Sequence, residues 1–185
     1  MPKFVDHEQR RRELAGAVWR VIVRDGVADV SIRSVAAEAG WSSGALRHYF
    51  ATRAELLAFA CEQVIEQVTE RISALRPAGS IRDAAGEVLR QTMPVDPERH
   101  TEASIAFAFL ALGLGDPELA RVQRLHFTSM SELCRTLARQ LAGTDAPARR
   151  LHALVDGLTV HVLAGHLTPD EMVGRLDDYL DELTA

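Results

Sequence analysis

Cysteine, aromatic residues and long apolar runs are all scarce in this sequence of 185 residues, with two cysteines and 5% Phe, Trp and Tyr. A bilayer-crossing helix needs roughly 18 or more consecutive apolar residues, and no stretch approaches that. The opening Met-Pro-Lys-Phe-Val-Asp-His-Glu lacks the apolar core of a secretory signal. The chain is therefore expected to be cytoplasmic, with no membrane partner. Cys61 and Cys134 lie inside apolar helical patterns, which makes them buried thiols by default rather than a disulfide pair. Nothing resembles a zinc or haem site, so no metal or cofactor is expected. Enzymatic signatures are missing too: there is no HExxH, no phosphate-cradling glycine loop and no Ser/His/Asp or Cys/His arrangement. Asp156 and His161 are five apart and do not share a helix face closely, a poor acid–base pair.

What the sequence has is helical periodicity and uneven charge. With 47% hydrophobic and 25% charged residues the composition is globular, and a net charge of -5 argues against a generally basic nucleic-acid coat protein. The charge is divided, however. Residues 1 to 53 hold nine basic side chains against six acidic ones, whereas the rest holds twelve against twenty.

Apolar residues recur at three and four spacing almost throughout, with no sustained period-two alternation, so the fold class expected is all-α. Leu14, Ala17, Val18, Val21 and Ile22 mark a first helix ending near Asp25-Gly26. Ser31 caps a short helix from Ile32 to Ala39, Gly40-Trp41-Ser42 breaks the chain, and Ser43 to Tyr49 forms another. Thr52-Arg53-Ala54-Glu55 reads as a capping box opening a long helix with the stripe Leu57, Cys61, Val64, Val68, Ile72 and Leu75. Asp96-Pro97-Glu98, Asp116-Pro117-Glu118 and Thr168-Pro169-Asp170-Glu171 punctuate the remainder. With starts at Ser80 and Pro147 they predict five helices, at about 80 to 92, 96 to 112, 117 to 142, 147 to 166 and 169 to 183. About nine helices follow, in a basic head at 1–51 and a larger acidic body at 52–185.

Two short helices joined by Ala39-Gly40-Trp41-Ser42 have the spacing of a helix-turn-helix, in which the second helix enters the major groove. Small residues at its start, Ser42, Ser43, Gly44 and Ala45, let its backbone approach phosphates and base edges. Arg47, His48 and Tyr49 then reach sideways. Helical hairpins with a glycine turn also occur without DNA, so the pattern alone leaves both readings open.

Gly26, the run from Ser31-Ile32-Arg33 through Gly44-Ala45-Leu46-Arg47-His48-Tyr49-Phe50, and Arg53-Ala54-Glu55-Leu56-Leu57 resemble the DNA-binding segment of the tetracycline-repressor (TetR) family. The resemblance covers about fifty residues. It implies a homodimeric one-component regulator whose head binds a palindromic double-stranded DNA operator and whose body binds a small-molecule effector of unknown identity. It further implies that Ser31 points its hydroxyl at a phosphate, that Arg53 meets a phosphate beside the start of its helix, and that Tyr49 offers its hydroxyl to the DNA backbone. Arg33 is a further phosphate candidate with the Arg10 to Arg12 cluster. Trp41 and Arg47 depart from the family pattern. Trp41 is expected to fill space under the reading helix, and Arg47 to bind a phosphate or take a guanine.

In the body, Leu151, Leu154, Val155, Leu158 and Val162 precede Met172, Val173, Leu176, Leu180 and Leu183, two apolar stripes expected to pack against a two-fold mate as a four-helix bundle, with Gly157 permitting close approach. Leu154 to His161 resembles, over a shorter stretch, the TetR branch of choline-sensing betaine repressors. Candidate pocket residues are Phe59, Gln63, Met93, Phe107, Phe109, Leu112, His126, Met130 and His161, each with an alternative reading as core. The two histidines could also be metal ligands. A ligand-responsive repressor is the leading reading, with an effector-free or architectural DNA-binding protein carrying the same head as the alternative.

Overall fold

The computed structural model describes the backbone of residues 4–113 and 117–184, and the side chains of residues 10, 13–110, 113 and 119–184. Helix α1 spans Phe4–Asp25, and a short 3-10 turn at Val27–Asp29 leads to α2, Ile32–Ala39, and α3, Ser43–Arg47. Then follow α4 (Arg53–Ala74), α5 (Ile81–Arg90), α6 (Pro97–Gly113), α7 (Pro117–Ala142), α8 (Ala148–Leu163) and α9 (Pro169–Thr184). Among the described residues there is no strand, and no helix is long and apolar enough to cross a membrane.

The helix boundaries follow from cap chemistry. Ser31 Oγ accepts from Ser34 N at 3.0 Å while Ser34 Oγ accepts from Ser31 N at 2.9 Å, so both orphan amides at the start of α2 are satisfied. Asp96 Oδ1 accepts from Arg99 N at 2.8 Å at the head of α6. Thr168 and Glu171 form the reciprocal pair that opens α9, at 3.2 and 2.8 Å. At Thr52 the reciprocity is displaced by one residue: its hydroxyl accepts from Glu55 N at 3.0 Å, but the Glu55 carboxylate takes the amide of Ala51 at 2.7 Å. The Asp116 cap lies outside the described residues.

The chain divides into two compact units, Met1–Val64 with Ala108–Gln123, and Ile65–Phe107 with Arg124–Ala185. In the first, Leu14, Ala17, Val18 and Val21 of α1 are fully buried, as are Val35, Leu46, Leu56, Leu57 and Ala60. This unit extends past residue 51, where the sequence reading ended the head. The reason is packing: Phe50 lies 5.0 Å, centroid to centroid, from Phe59 on α4.

The second unit has a core of Ala85, Leu89, Met93, Met130, Cys134, Leu137 and the inner faces of α8 and α9. Most residues expected at the dimer surface point inward within the single chain. Leu151, Val155, Leu158 and Val162 on α8 and Met172, Leu176 and Leu180 on α9 are buried within the single chain, and Leu154 is half-buried against the same core. The buried members of both stripes pack on their own protomer, and Leu154, Val173 and Leu183 remain partly exposed. The outward face of α8 carries Ala153, Gly157 and Val160, with Val160 44% exposed. Helix α9 is pinned by ion pairs to α5, Arg82 Nε to Asp181 Oδ1 and Arg90 Nη2 to Asp177 Oδ1, each 2.6 Å.

Candidate nucleic-acid interface

The α2–α3 corner is built by backbone geometry that glycine makes accessible. Gly40 adopts φ +70°, its amide bonds Ala37 O at 3.3 Å, and the Trp41 amide bonds Ala36 O at 2.8 Å. This is the Schellman closure, which satisfies the last carbonyls of α2 and turns the chain sharply. Ser42 Oγ then accepts from Ala45 N at 3.1 Å and starts α3. Leu46, wholly buried, anchors the helix to the unit's core. Around that anchor Ser42, Ser43, Gly44, Arg47 and His48 are exposed, and Ala45 and Tyr49 are half-buried. Regular helix stops at Arg47 rather than at the expected Tyr49. His48 and Tyr49 continue as turns, their amides bonded to Ala45 O and Leu46 O at 3.2 and 2.9 Å.

Trp41 is half-buried, and its indole meets the Tyr49 ring edge-on at 5.5 Å. The two rings line an open cleft of about 640 Å³ with Arg10, Glu13, Ala45 and His48.

The cations of this unit are not equivalent. Arg20 and Arg24 each hold Glu38 at 2.6 Å. Arg20 first, then Arg24, keeps the Glu38 carboxyl below the usual carboxylate range. Arg33 and Arg47 are exposed and have no ion-pair partner among the described residues. Arg53 is engaged with backbone: its Nε donates to Val30 O at 2.7 Å and its Nη2 to Val27 O and Ala28 O at 2.9 and 3.3 Å. The Ser31 hydroxyl is likewise committed to its cap, with Ser34 Oγ at 3.0 Å.

The expected effector residues are distributed over both units. Phe59, Gln63 and Phe109 belong to the first and Met93, Phe107, His126, Met130 and His161 to the second, while the Leu112 side chain lies outside the described residues. Met93 is fully buried and Met130 nearly so within the second unit's core. His161 is exposed and lies beside His166, ring centroids 5.7 Å apart and planes tilted by 59°, because it falls on the flank of α8 away from the core stripe. His126 is half-buried beside Phe127, and burial, then the nearby His152, lowers its pKa below the ordinary imidazole value. His152 Nε2 approaches Asp156 Oδ2 at 3.4 Å, and burial raises the Asp156 carboxyl. Among the described residues no three His, Cys, Asp or Glu side chains gather as a metal site. Burial pushes the thiols of Cys61 and Cys134 up to about 12, which leaves both unreactive.

Sequence reasoning missed a polar constellation at the junction of α4, α5 and α6. The Arg71 guanidinium holds the buried Glu102 carboxylate in a bidentate pair, at 2.6 and 2.5 Å, and reaches Gln91 O at 3.1 Å. Arg99 joins the Gln91 side chain at 2.8 Å and Asp96 at 2.7 Å. The available signal was Glu102, a carboxylate beside the buried Ala103 where the polar start of α6 gives way to its apolar half.

Comparison with known proteins decides the family. Residues 15–59 match the bacterial regulatory proteins of the tetR family, and residues 81–185 match the C-terminal region of BetI-type transcriptional repressors. The chain belongs to the TetR family. Among its relatives is the HTH-type transcriptional regulator PksA of Bacillus subtilis, 39% identical over 170 residues, 88% of this chain and 83% of PksA. A transcriptional regulator from Rhodococcus sp. Rha1 superposes with TM-score 0.84 at 26% identity, over 94% of this chain and 95% of the other. The multidrug binding protein EbrR, crystallised with ethidium, superposes with TM-score 0.72 at 27% identity, over 94% of this chain and 98% of EbrR. Membership makes the chain a transcriptional regulator with a DNA-binding helix-turn-helix and not an enzyme. TetR-family regulators bind DNA and small-molecule effectors, typically as dimers.

Proposed function

We propose that this TetR-family chain is a ligand-responsive repressor that binds a palindromic operator as a homodimer in the cytoplasm and is released by a small-molecule effector. The observation that carries the reading is α3, anchored by the buried Leu46 and presenting Ser43, Gly44, Arg47 and His48 outward. Two such helices, one per protomer, suit successive major grooves about 34 Å apart on one face of DNA. Arg33 and Arg47 supply exposed cations for phosphates or guanine edges. The head is assigned to residues 1–51 and the effector body to 52–185, with α4 as the covalent connection between them.

Release follows from linkage: an effector that favours a body arrangement unsuited to two grooves lowers operator affinity, and the operator lowers effector affinity by the same factor. Effector candidates are sought among organic cations, since EbrR was solved with ethidium. The closed packing of Met93 and Met130 favours a second reading, an effector-free DNA-binding protein. The test is to select operator duplexes from random DNA and to titrate organic cations into the protein with and without that duplex. Repression requires a selected palindrome and a cation whose affinity falls in its presence. Equal affinity in both leaves the effector-free reading.

A further inference from the structure

We infer that Arg53 is a positioning residue that fastens the turn between α1 and α2 to the start of α4, and is not a phosphate ligand. This rests on the reading of the first unit as a DNA-binding head. Its geometric part is independent of DNA.

The turn Val27–Asp29 makes few bonds of its own. None of its three residues is buried, and Gly26 before it contributes no side-chain cap. Its own bonds are two backbone contacts, Asp29 N to Gly26 O at 3.3 Å and Val30 N to Val27 O at 3.2 Å. Arg53 stands 23 to 26 residues further along the chain and supplies three more, to the carbonyls of Val27, Ala28 and Val30. These bonds leave from two nitrogens of one planar guanidinium, so the spacing of the three carbonyls is matched by a rigid fork. A charged donor to a carbonyl is also stronger than a neutral one.

The consequence reaches the interface through a short path. Ser34 Oγ donates to Asp29 O at 2.9 Å and closes the cap of α2 with Ser31, so the turn and the first residues of α2 are one hydrogen-bonded piece. Arg33, exposed on the first turn of α2, takes its position from that piece. Arg53 therefore places a phosphate-facing cation without contacting DNA itself. Withdrawing the guanidinium to reach a phosphate would forfeit bonds to three carbonyls.

Lysine separates the two roles. A lysine retains the charge that a phosphate contact needs, but its single ammonium cannot present donors at the Val30 and Val27 positions together. The experiment compares the full chain with its Arg53→Lys and Arg53→Gln variants. In the DNA-free protein, hydrogen exchange at the amides of Asp29 and Val30 is expected to quicken about tenfold in both variants, with no change at the amides of α8 and α9. On a duplex selected from random 30-base-pair DNA, both variants are expected to bind about tenfold more weakly, with the slope of log affinity against log salt unchanged. A phosphate ligand would give the opposite pattern: near-native affinity for Arg53→Lys, and for Arg53→Gln a slope reduced by about one counterion. That pattern, or unaltered exchange at Asp29 and Val30 in both variants, overturns the inference. If no duplex is selected while exchange quickens as expected, the DNA-binding reading fails and the fastening of the turn stands.

Discussion

The indole of Trp41 and the phenol of Tyr49 lie edge to face, 64° between planes and 5.5 Å between centroids, at the foot of the reading helix. Such pairs contribute about 0.5–1.5 kcal/mol beyond the area they bury. Trp41→Leu is therefore expected to keep the helical circular-dichroism spectrum and to weaken binding of a selected duplex by roughly 2- to 12-fold, the factor that this energy represents. Undiminished affinity would show that Trp41 does not orient Tyr49 for DNA.

Gly44 is not required by the fold. A methyl group there would meet only Ser42 Oγ, at 3.9 Å, an ordinary contact. Alanine also favours helix over glycine by up to about 1 kcal/mol. Gly44→Ala is thus expected to melt at the same temperature or higher while losing operator affinity, because the added methyl stands where backbone approaches DNA. Retention of affinity in a binding titration would place residue 44 clear of the groove.

The Arg71–Glu102 pair predicts an asymmetry between single and double variants. Glu102 is 5% exposed, so Arg71→Met leaves a buried carboxylate without its partner, a loss on the order of 3 kcal/mol in denaturant unfolding. Replacing both, Arg71→Met with Glu102→Leu, is expected to recover most of that stability. A double variant as unstable as the single would assign the loss to packing rather than to charge.

Two substitutions distinguish core from surface on the last helices. Leu176→Glu puts a carboxylate in a fully buried site and is expected to abolish cooperative unfolding. Val160→Glu, on the outward face beside Gly157, is expected to leave the protomer folded and to halve the light-scattering mass. A folded Val160→Glu dimer would remove this face of α8 from the interface.

Acid should destabilise the chain through His126. Burial lowers its folded pKa, so the unfolded state takes up a proton first, and the stability it contributes is present above about pH 6.5 and is lost as pH falls through the depressed folded value. Asp156, raised by burial, acts in the opposite sense: its contribution is present at low pH and is lost as pH rises through its folded value. Between pH 7.5 and 5.5 the fall in melting temperature is expected to be shallower in His126→Gln, and on further acidification toward the ordinary aspartate value of 3.8 it is expected to be steeper in Asp156→Asn. Identical pH profiles in all three proteins would contradict both assignments.

Much of the fold was legible because helix ends are chemically marked. Ser31, Asp96 and Thr168 each start a helix within a residue of where their side chains predict, and Gly40 ends one where its freedom to take positive φ predicts, since a cap is a local bond between near neighbours. The apolar stripes of α8 and α9 were equally legible as buried faces, but periodicity does not say which surface buries them. Met93 and Leu89 on one side and Leu176 on the other fill that space within one chain. Arg53 illustrates the same limit for a polar group: its carbonyl partners are more than twenty residues distant, and only tertiary structure brings them to the guanidinium. Glu102 was missed because its partner Arg71 is 31 positions away.

Every methionine beyond the first residue, Met93, Met130 and Met172, shares one core with the Cys134 thiol. Thioethers and thiols are the side chains that peroxide attacks, and enclosure keeps these four from it. Sulfoxide formation at each site is then a clock for excursions that admit solvent, readable residue by residue in a mass spectrometer. A ligand that tightens the second unit would slow all three methionine clocks together, so oxidant resistance becomes a label-free screen for molecules the protein recognises.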